Sequence, residues 1–260
     1  MTMKRRVPTR YPMKLEQQYA RDLKKVVTDW DRGARSCAKF YLKQYVNGGT
    51  QLKLDDATDD PNWINKLNQQ IELMGFSMQQ ASKRHDVNSI ATKFVRALNS
   101  FSYQNVKAQA AIVGLDPISD NNVLRNYVKG KIQENVSLIN SMYSTYWHSL
   151  EKDIYRSITS GGGITSITDA ITKRTGMGKK HADLIANDQT GTIISQLNAY
   201  RAKAAGAEKY LWRSMEDRRV RPKHRELDGK IFKYGDPNGG DNGELPGEPI
   251  RCRCLAEPIF

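Results

Sequence analysis

Two thiols and an imidazole stand near the end of the chain, His224 followed by Cys252 and Cys254. Cysteine sulfur and neutral histidine nitrogen are ordinary ligands of four-coordinate zinc, and Asp217 or a water would complete the set. The usual structural spacing is CxxC, whereas here the single residue Arg253 separates the cysteines. Two other readings stay open. Asp217 with the neighbouring Arg218 and Arg221 also makes a hydrogen-bonded ion network that holds a turn, with the cysteines packed beneath it. A Cys252–Cys254 disulfide would close a very short, strained loop. His224 beside Asp217 and the thiols has the outline of a cysteine nucleophile with its base. The sequence nevertheless carries no HExxH, no GxSxG elbow, no Walker loop and no paired-carboxylate motif, so the expectation is a protein that is not an enzyme.

These residues need elements to position them, and hydrophobic periodicity supplies the outline. Leu15, Tyr19, Leu23, Val26, Val27, Trp30, Cys37 and Tyr41 recur at helical spacing and predict a helix that ends near Asn47-Gly48-Gly49. Cys37 lies on its apolar side and reads as a small buried hydrophobe. Asp60-Pro61 is an N-cap with proline at the first helical position, and Trp63, Ile64, Leu67, Ile71 and Met74 follow on one face. The pattern resumes beyond Gly75 from Ile90 to Phe101 and stops near Gly114 and Asp116-Pro117, with His85 in a polar, solvated stretch. The clearest helix opens at Ser119-Asp120 and carries Leu124, Val128, Ile132, Val136, Ile139, Tyr143, Tyr146, Trp147, Leu150 and Ile154. Aromatics at that spacing are read as packing rather than as a base-stacking platform.

Gly161-Gly162-Gly163 is the strongest break and is taken as a domain boundary. A short helix to about Thr175, a turn at Gly176-Met177-Gly178 and a longer helix to Gly206 are expected after it. Lys209–Arg213 then alternates as a strand does, and a Gly/Pro/Asn/Asp-rich loop from Gly235 to Pro249 leads into the Cys-Arg-Cys segment. The expected class is α+β. A basic arm over 1–14 precedes a helical bundle region over 15–160, and a small domain of helices and a short β element covers 161–260.

The run Trp212-Arg213-Ser214-Met215-Glu216-Asp217-Arg218-Arg219-Val220-Arg221-Pro222-Lys223-His224, then Leu227-Asp228-Gly229, Pro246-Gly247-Glu248-Pro249 and Cys252-Arg253-Cys254, resembles the signature of the phage Mu F-like minor head family. The likeness covers roughly residues 165 to 260. Its family-motif positions are Trp212, Asp217, Arg218, Arg221, His224, Gly229, Cys252 and Cys254. Where the family often carries an Ile-Ala-Arg-Thr type of run, this chain has Ile185-Ala186-Asn187-Asp188-Gln189-Thr190. The resemblance implies a head morphogenesis protein made in the host cytoplasm and placed inside the virion head near the portal. Its implied partners are the portal protein, scaffold or major capsid protein, and double-stranded DNA.

Charge agrees with a polyanionic partner. The chain holds 41 Lys and Arg against 28 Asp and Glu, a formal net charge of +13, which favours nucleic acid through phosphate contacts that weaken steeply with salt. Lys4, Arg5, Arg6, Arg10 and Lys14 form an arm without acidic residues that reads as mobile or ordered by a partner, and they are the candidate DNA contacts. No base-reading motif is present, so the expected binding is sequence-independent. A general DNA-binding protein, or a metal-dependent hydrolase or toxin-like enzyme, are the alternatives. No run of about 18 apolar residues exists, and three cysteines so distributed make no disulfide framework.

Overall fold

The computed structural model describes residues 7–43 and 62–260. Lys4, Arg5 and Arg6, the helix end expected near Asn47-Gly48-Gly49 and the cap expected at Asp60-Pro61 lie outside the described residues. Helices run over Met13–Tyr41 (α1), Trp63–Ser82 (α2), Val87–Ala110 (α3), Asn122–Thr159 (α4), Ile164–Ala204 (α5) and Pro222–Leu227 (α6). Strands cover Lys209–Arg213 (β1), Ile231–Lys233 (β2) and Leu255–Ile259 (β3). Long helices with one small sheet near the C-terminus make the chain a mostly helical α+β protein.

Two compact units are assembled from discontinuous segments. The first takes Met1–Ala20, Asn88–Val136 and Leu184–Phe260, and the second takes Arg21–Val87 and Ser137–Asp183. α1, α4 and α5 therefore each give one part to each unit.

Among its described residues, the second unit holds helices and their connections but no strand. Val26, Val27 and Trp30 of α1, Leu67, Ile71 and Met74 of α2, Ile139, Met142 and Leu150 of α4, and Ile167 and Ile171 of α5 are buried. Trp30 packs against Tyr143 and Tyr146 at ring-centroid distances of 5.3 and 5.6 Å, so the aromatic stripe of α4 is core. α2 continues through Gly75, where a Cβ would lie 2.8 Å from the Trp147 indole, so the missing side chain permits that close packing. His85, expected in solvent, instead pairs its Nε2 with Asp29 Oδ2 at 2.7 Å. Gly161 at φ +73° ends α4, and the Gly162 amide donates to the Ser157 carbonyl at 2.7 Å. The three glycines thus turn the chain tightly into α5.

Beyond that turn the expected short helix, turn and longer helix are one continuous helix, α5. The glycines that suggested a turn include Gly178, where a Cβ would lie 3.0 Å from Val27. Helical hydrogen bonding continues through them, and the missing side chain permits close packing.

The first unit carries the sheet. Its order is β2-β1-β3, antiparallel throughout, with Tyr210 opposite Phe232 and Trp212 opposite Ala256. The same unit holds the start of α1, α3, the first part of α4 and the last part of α5. Asn121 caps α4, its Oδ1 accepting from the Leu124 amide at 2.9 Å. Tyr19 stacks on Phe94 at 3.8 Å and donates to Asn135. Arg201 of α5 is fully buried and donates to neutral acceptors: Ser102 Oγ, Asn99 Oδ1 and the Ile118 carbonyl. Residues 7–12 of the arm are held in place rather than loose. Thr9 Oγ1 donates to the Ala256 carbonyl at 3.0 Å, and Gln109 Nε2 donates to Thr9 Oγ1 at 2.7 Å.

Candidate metal centre and motif scaffold

Three elements converge on the C-terminal constellation. Pro222 at the first position of α6 fixes φ for the helix start, and one turn of this short helix carries His224 into the interior, 2% exposed. The loop before β3 delivers Cys252 and Cys254, both buried. β1 supplies Trp212, fully buried, whose ring lies 5.4 Å from the His224 ring in an edge-on arrangement. Tyr210, Trp212, Cys252, Cys254 and Ala256 make one apolar cluster, so the site sits against a dry wall.

His224 Nδ1 is 3.4 Å from Cys252 Sγ and 3.6 Å from Cys254 Sγ. Its other nitrogen, Nε2, donates to Asp241 Oδ2 at 2.9 Å. Since the carboxylate takes the Nε2 proton, the Nδ1 lone pair faces the two sulfurs. Asp241 is itself held by Lys223. The Asp241 carboxyl is pushed up by burial, but the hydrogen bonds from Lys223 and His224 and the positive charge of Lys223 outweigh this and hold it below its ordinary pKa. The sulfurs divide in character. Cys252 is drawn toward the thiolate by a hydrogen bond from the Cys254 thiol, with help from the Cys254 amide and His224. Cys254, donating to that thiolate and buried beside it, is pushed the other way. The buried Trp212 indole N–H has no hydrogen-bond partner.

Among the described residues, His224, Cys252 and Cys254 form a group whose potential ligand atoms all lie within 4.8 Å of one another. Asp217 is not in that group. Its carboxylate pairs with Arg253, 7% exposed, and accepts from the Arg219 amide at 2.9 Å. Arg221 Nη2 donates to the Ile250 carbonyl at 2.6 Å, tying the entry of α6 to the loop before the cysteines. Arg218 is exposed. Gly229 adopts φ +74° and returns its amide to the Trp212 carbonyl at 2.9 Å, closing the connection between α6 and β2. Arg10 and Lys14 are exposed on the first unit.

The Pro246-Gly247-Glu248-Pro249 stretch is a docking piece on α5. Ser195 donates to the Pro246 carbonyl, Gln196 Nε2 donates to Glu248 Oε1 at 2.8 Å, and the Arg251 amide donates to Asp188 Oδ1 at 2.6 Å. Gly191 and Gly247 face each other across this contact. A Cβ on Gly191 would strike the Gly247 carbonyl oxygen and lie 2.8 Å from that of Cys252, while Gly247 holds φ +104°. Asp188 stands within the run that departs from the family's Ile-Ala-Arg-Thr pattern, so this chain anchors the loop there with a carboxylate.

Sequence reasoning missed Asp241, Asp188 and Gly191. Asp241 sits in a turn-rich loop among Asp236, Gly239, Gly240 and Gly243, where residue type alone does not separate it from its neighbours. The loop folds back because Gly240 and Gly243 take positive φ, and a Cβ on Gly240 would lie 3.0 Å from the Trp212 ring and the Tyr210 hydroxyl.

Comparison with known proteins agrees with this scaffold. An uncharacterized protein of Haemophilus influenzae is 30% identical over 126 residues, which are 48% of this chain and 28% of that protein. The chain thus spans well under a third of that relative's length. No solved structure matches the chain. The family described as Phage Mu protein F like protein matches residues 148–257, from the last turns of α4 through the cysteine loop into β3. The signature residues assembled around α5, α6 and the sheet lie within that matched segment, so over residues 148–257 the chain is similar to the phage Mu protein F like family.

Proposed function

We propose that the chain is a structural component of a bacteriophage head that acts with the portal protein during procapsid assembly and touches packaged DNA without reading its sequence. The observation that carries this reading is the family match over residues 148–257, because it falls on an assembled set of contacts rather than on scattered identities. Trp212, His224 and the two cysteines build one buried centre, and the Pro-Gly-Glu-Pro stretch fastens it to α5. The net charge of +13 supports a polyanionic neighbour. The exposure of Arg10 and Lys14 supports phosphate contact by the arm. Phosphate contact of this kind positions a protein on DNA but carries no base specificity.

The test is co-expression with the portal protein of the same phage, followed by nuclease treatment and co-purification at low and at high salt. Retention at high salt after nuclease is expected, since a direct protein interface does not depend on released counterions. Loss of the complex under those conditions would make DNA the bridge and favour a general DNA-binding protein instead.

A further inference from the structure

We propose that His224 Nδ1, Cys252 Sγ and Cys254 Sγ bind one zinc ion, with Asp241 orienting the histidine and a water in the fourth position. The separations fit an ion between the three atoms. Zinc at its ordinary bond lengths to sulfur and nitrogen, with tetrahedral angles, sets sulfur and nitrogen about 3.6 Å apart. The observed values are 3.4 and 3.6 Å.

Hydrogen bonding alone serves this arrangement poorly. Nδ1 has one lone pair, and two sulfurs converge on it. A cation satisfies all three donors at once, each thiol giving its proton to solvent as the ion binds. Asp241 is the carboxylate that metal-binding histidines commonly carry on their second nitrogen, where it fixes the tautomer and raises ligand basicity. Its 2.9 Å hydrogen bond to Nε2 leaves Nδ1 as the free donor.

A cavity of about 20 Å³ lies beside the three ligands, bordered by Met215, Val220, Arg221 and Arg251. That is room for a single water. It is not room for a substrate, so the ion acts as a staple that fixes α6 to the loop before β3. Such a centre replaces the larger hydrophobic core that a three-stranded sheet and one short helix lack.

Untagged full-length chain, purified under reducing conditions, is expected to hold about one zinc per chain by elemental analysis, as is Cys37→Ser. The Cys252→Ser/Cys254→Ser double variant is expected to hold less than about a tenth of an equivalent. Asp241→Asn should keep the ligands but weaken zinc about 10- to 100-fold in chelator competition. Should the double variant fail to fold, the cobalt-loaded wild-type chain decides alone, with thiolate-to-cobalt charge transfer and intense tetrahedral bands expected. Under about a tenth of an equivalent on reduced wild-type chain after incubation with zinc would overturn the proposal. So would wild-type zinc content in the folded double variant, or a Cys252–Cys254 disulfide in freshly purified protein.

Discussion

Asp217 supplies the charge that a nearly buried Arg253 needs, and this fixes what the motif aspartate does. Burial pushes its carboxyl up, but the Arg253 guanidinium, the Arg219 amide and their charges hold it below the ordinary 3.8. A carboxyl with a lowered native pKa contributes stability that is complete above its unfolded value and fades as the pH falls through the native one. Asp217→Asn should therefore cost about 2 kcal/mol in chemical denaturation at pH 7, chiefly by leaving a charged donor poorly paired. The wild-type advantage should shrink below pH 3.8 and vanish once Asp217 is protonated. An advantage that stays constant down to strong acid would show that the charge is irrelevant. At this scale the sequence was readable where residue type and order were both unusual, as for His224 and the Cys-Arg-Cys pair. It left Asp217 open between the metal set and an arginine network, because linear proximity does not say which of two nearby cationic or thiol groups a carboxylate will face; the structure pairs it with Arg253. Asp241 was invisible for the converse reason: its partner lies 17 residues away across a glycine-shaped loop.

Elements were legible wherever apolar residues kept a helical period, and misleading where glycine interrupted it. Gly176 and Gly178 read as a turn, yet α5 passes through them. Glycine in a helix weakens it by only about 1 kcal/mol, which packing against a neighbour readily offsets. The period of the hydrophobic pattern is the better guide when the two conflict. Gly191 makes the same point with a functional consequence. It lies mid-helix, where alanine would normally be favoured, but a Cβ there would collide with backbone oxygens of Gly247 and Cys252. Backbone cannot yield as a side-chain tip does. Gly191→Ala should thus destabilise the first unit by about 1–3 kcal/mol through forced separation of α5 and the loop. Amide exchange of residues around 245–254 should quicken more than that of the α2 core. An unchanged exchange pattern, or a stabilised protein as helix propensity alone predicts, would disprove the contact's importance.

The net charge of +13 supports the proposed DNA contact but does not locate it. The arm was expected to be mobile or ordered by a partner, but residues 7–12 are hydrogen-bonded within the chain to α3 and to the edge of β3 through Thr9, Arg10 and Gln109. Removing residues 1–14 would strip those bonds and the first turn of α1 together with the positive charge, so a deletion would confuse stability with binding. Neutralising Lys4, Arg5, Arg6, Arg10 and Lys14 to glutamine keeps the backbone contacts and isolates the electrostatic term. Each phosphate neutralised by a cation steepens the dependence of log affinity on log salt by about 0.9, so loss of all five contacts would flatten the slope by up to about 4.5. Duplex DNA of unrelated sequences should respond alike, because phosphate contacts carry no base information. A flatter slope with unchanged melting would place DNA on the arm, beside the sheet that carries the family motif. An unchanged slope would move the DNA-facing surface to the remaining basic residues and leave the arm as a strap over β3.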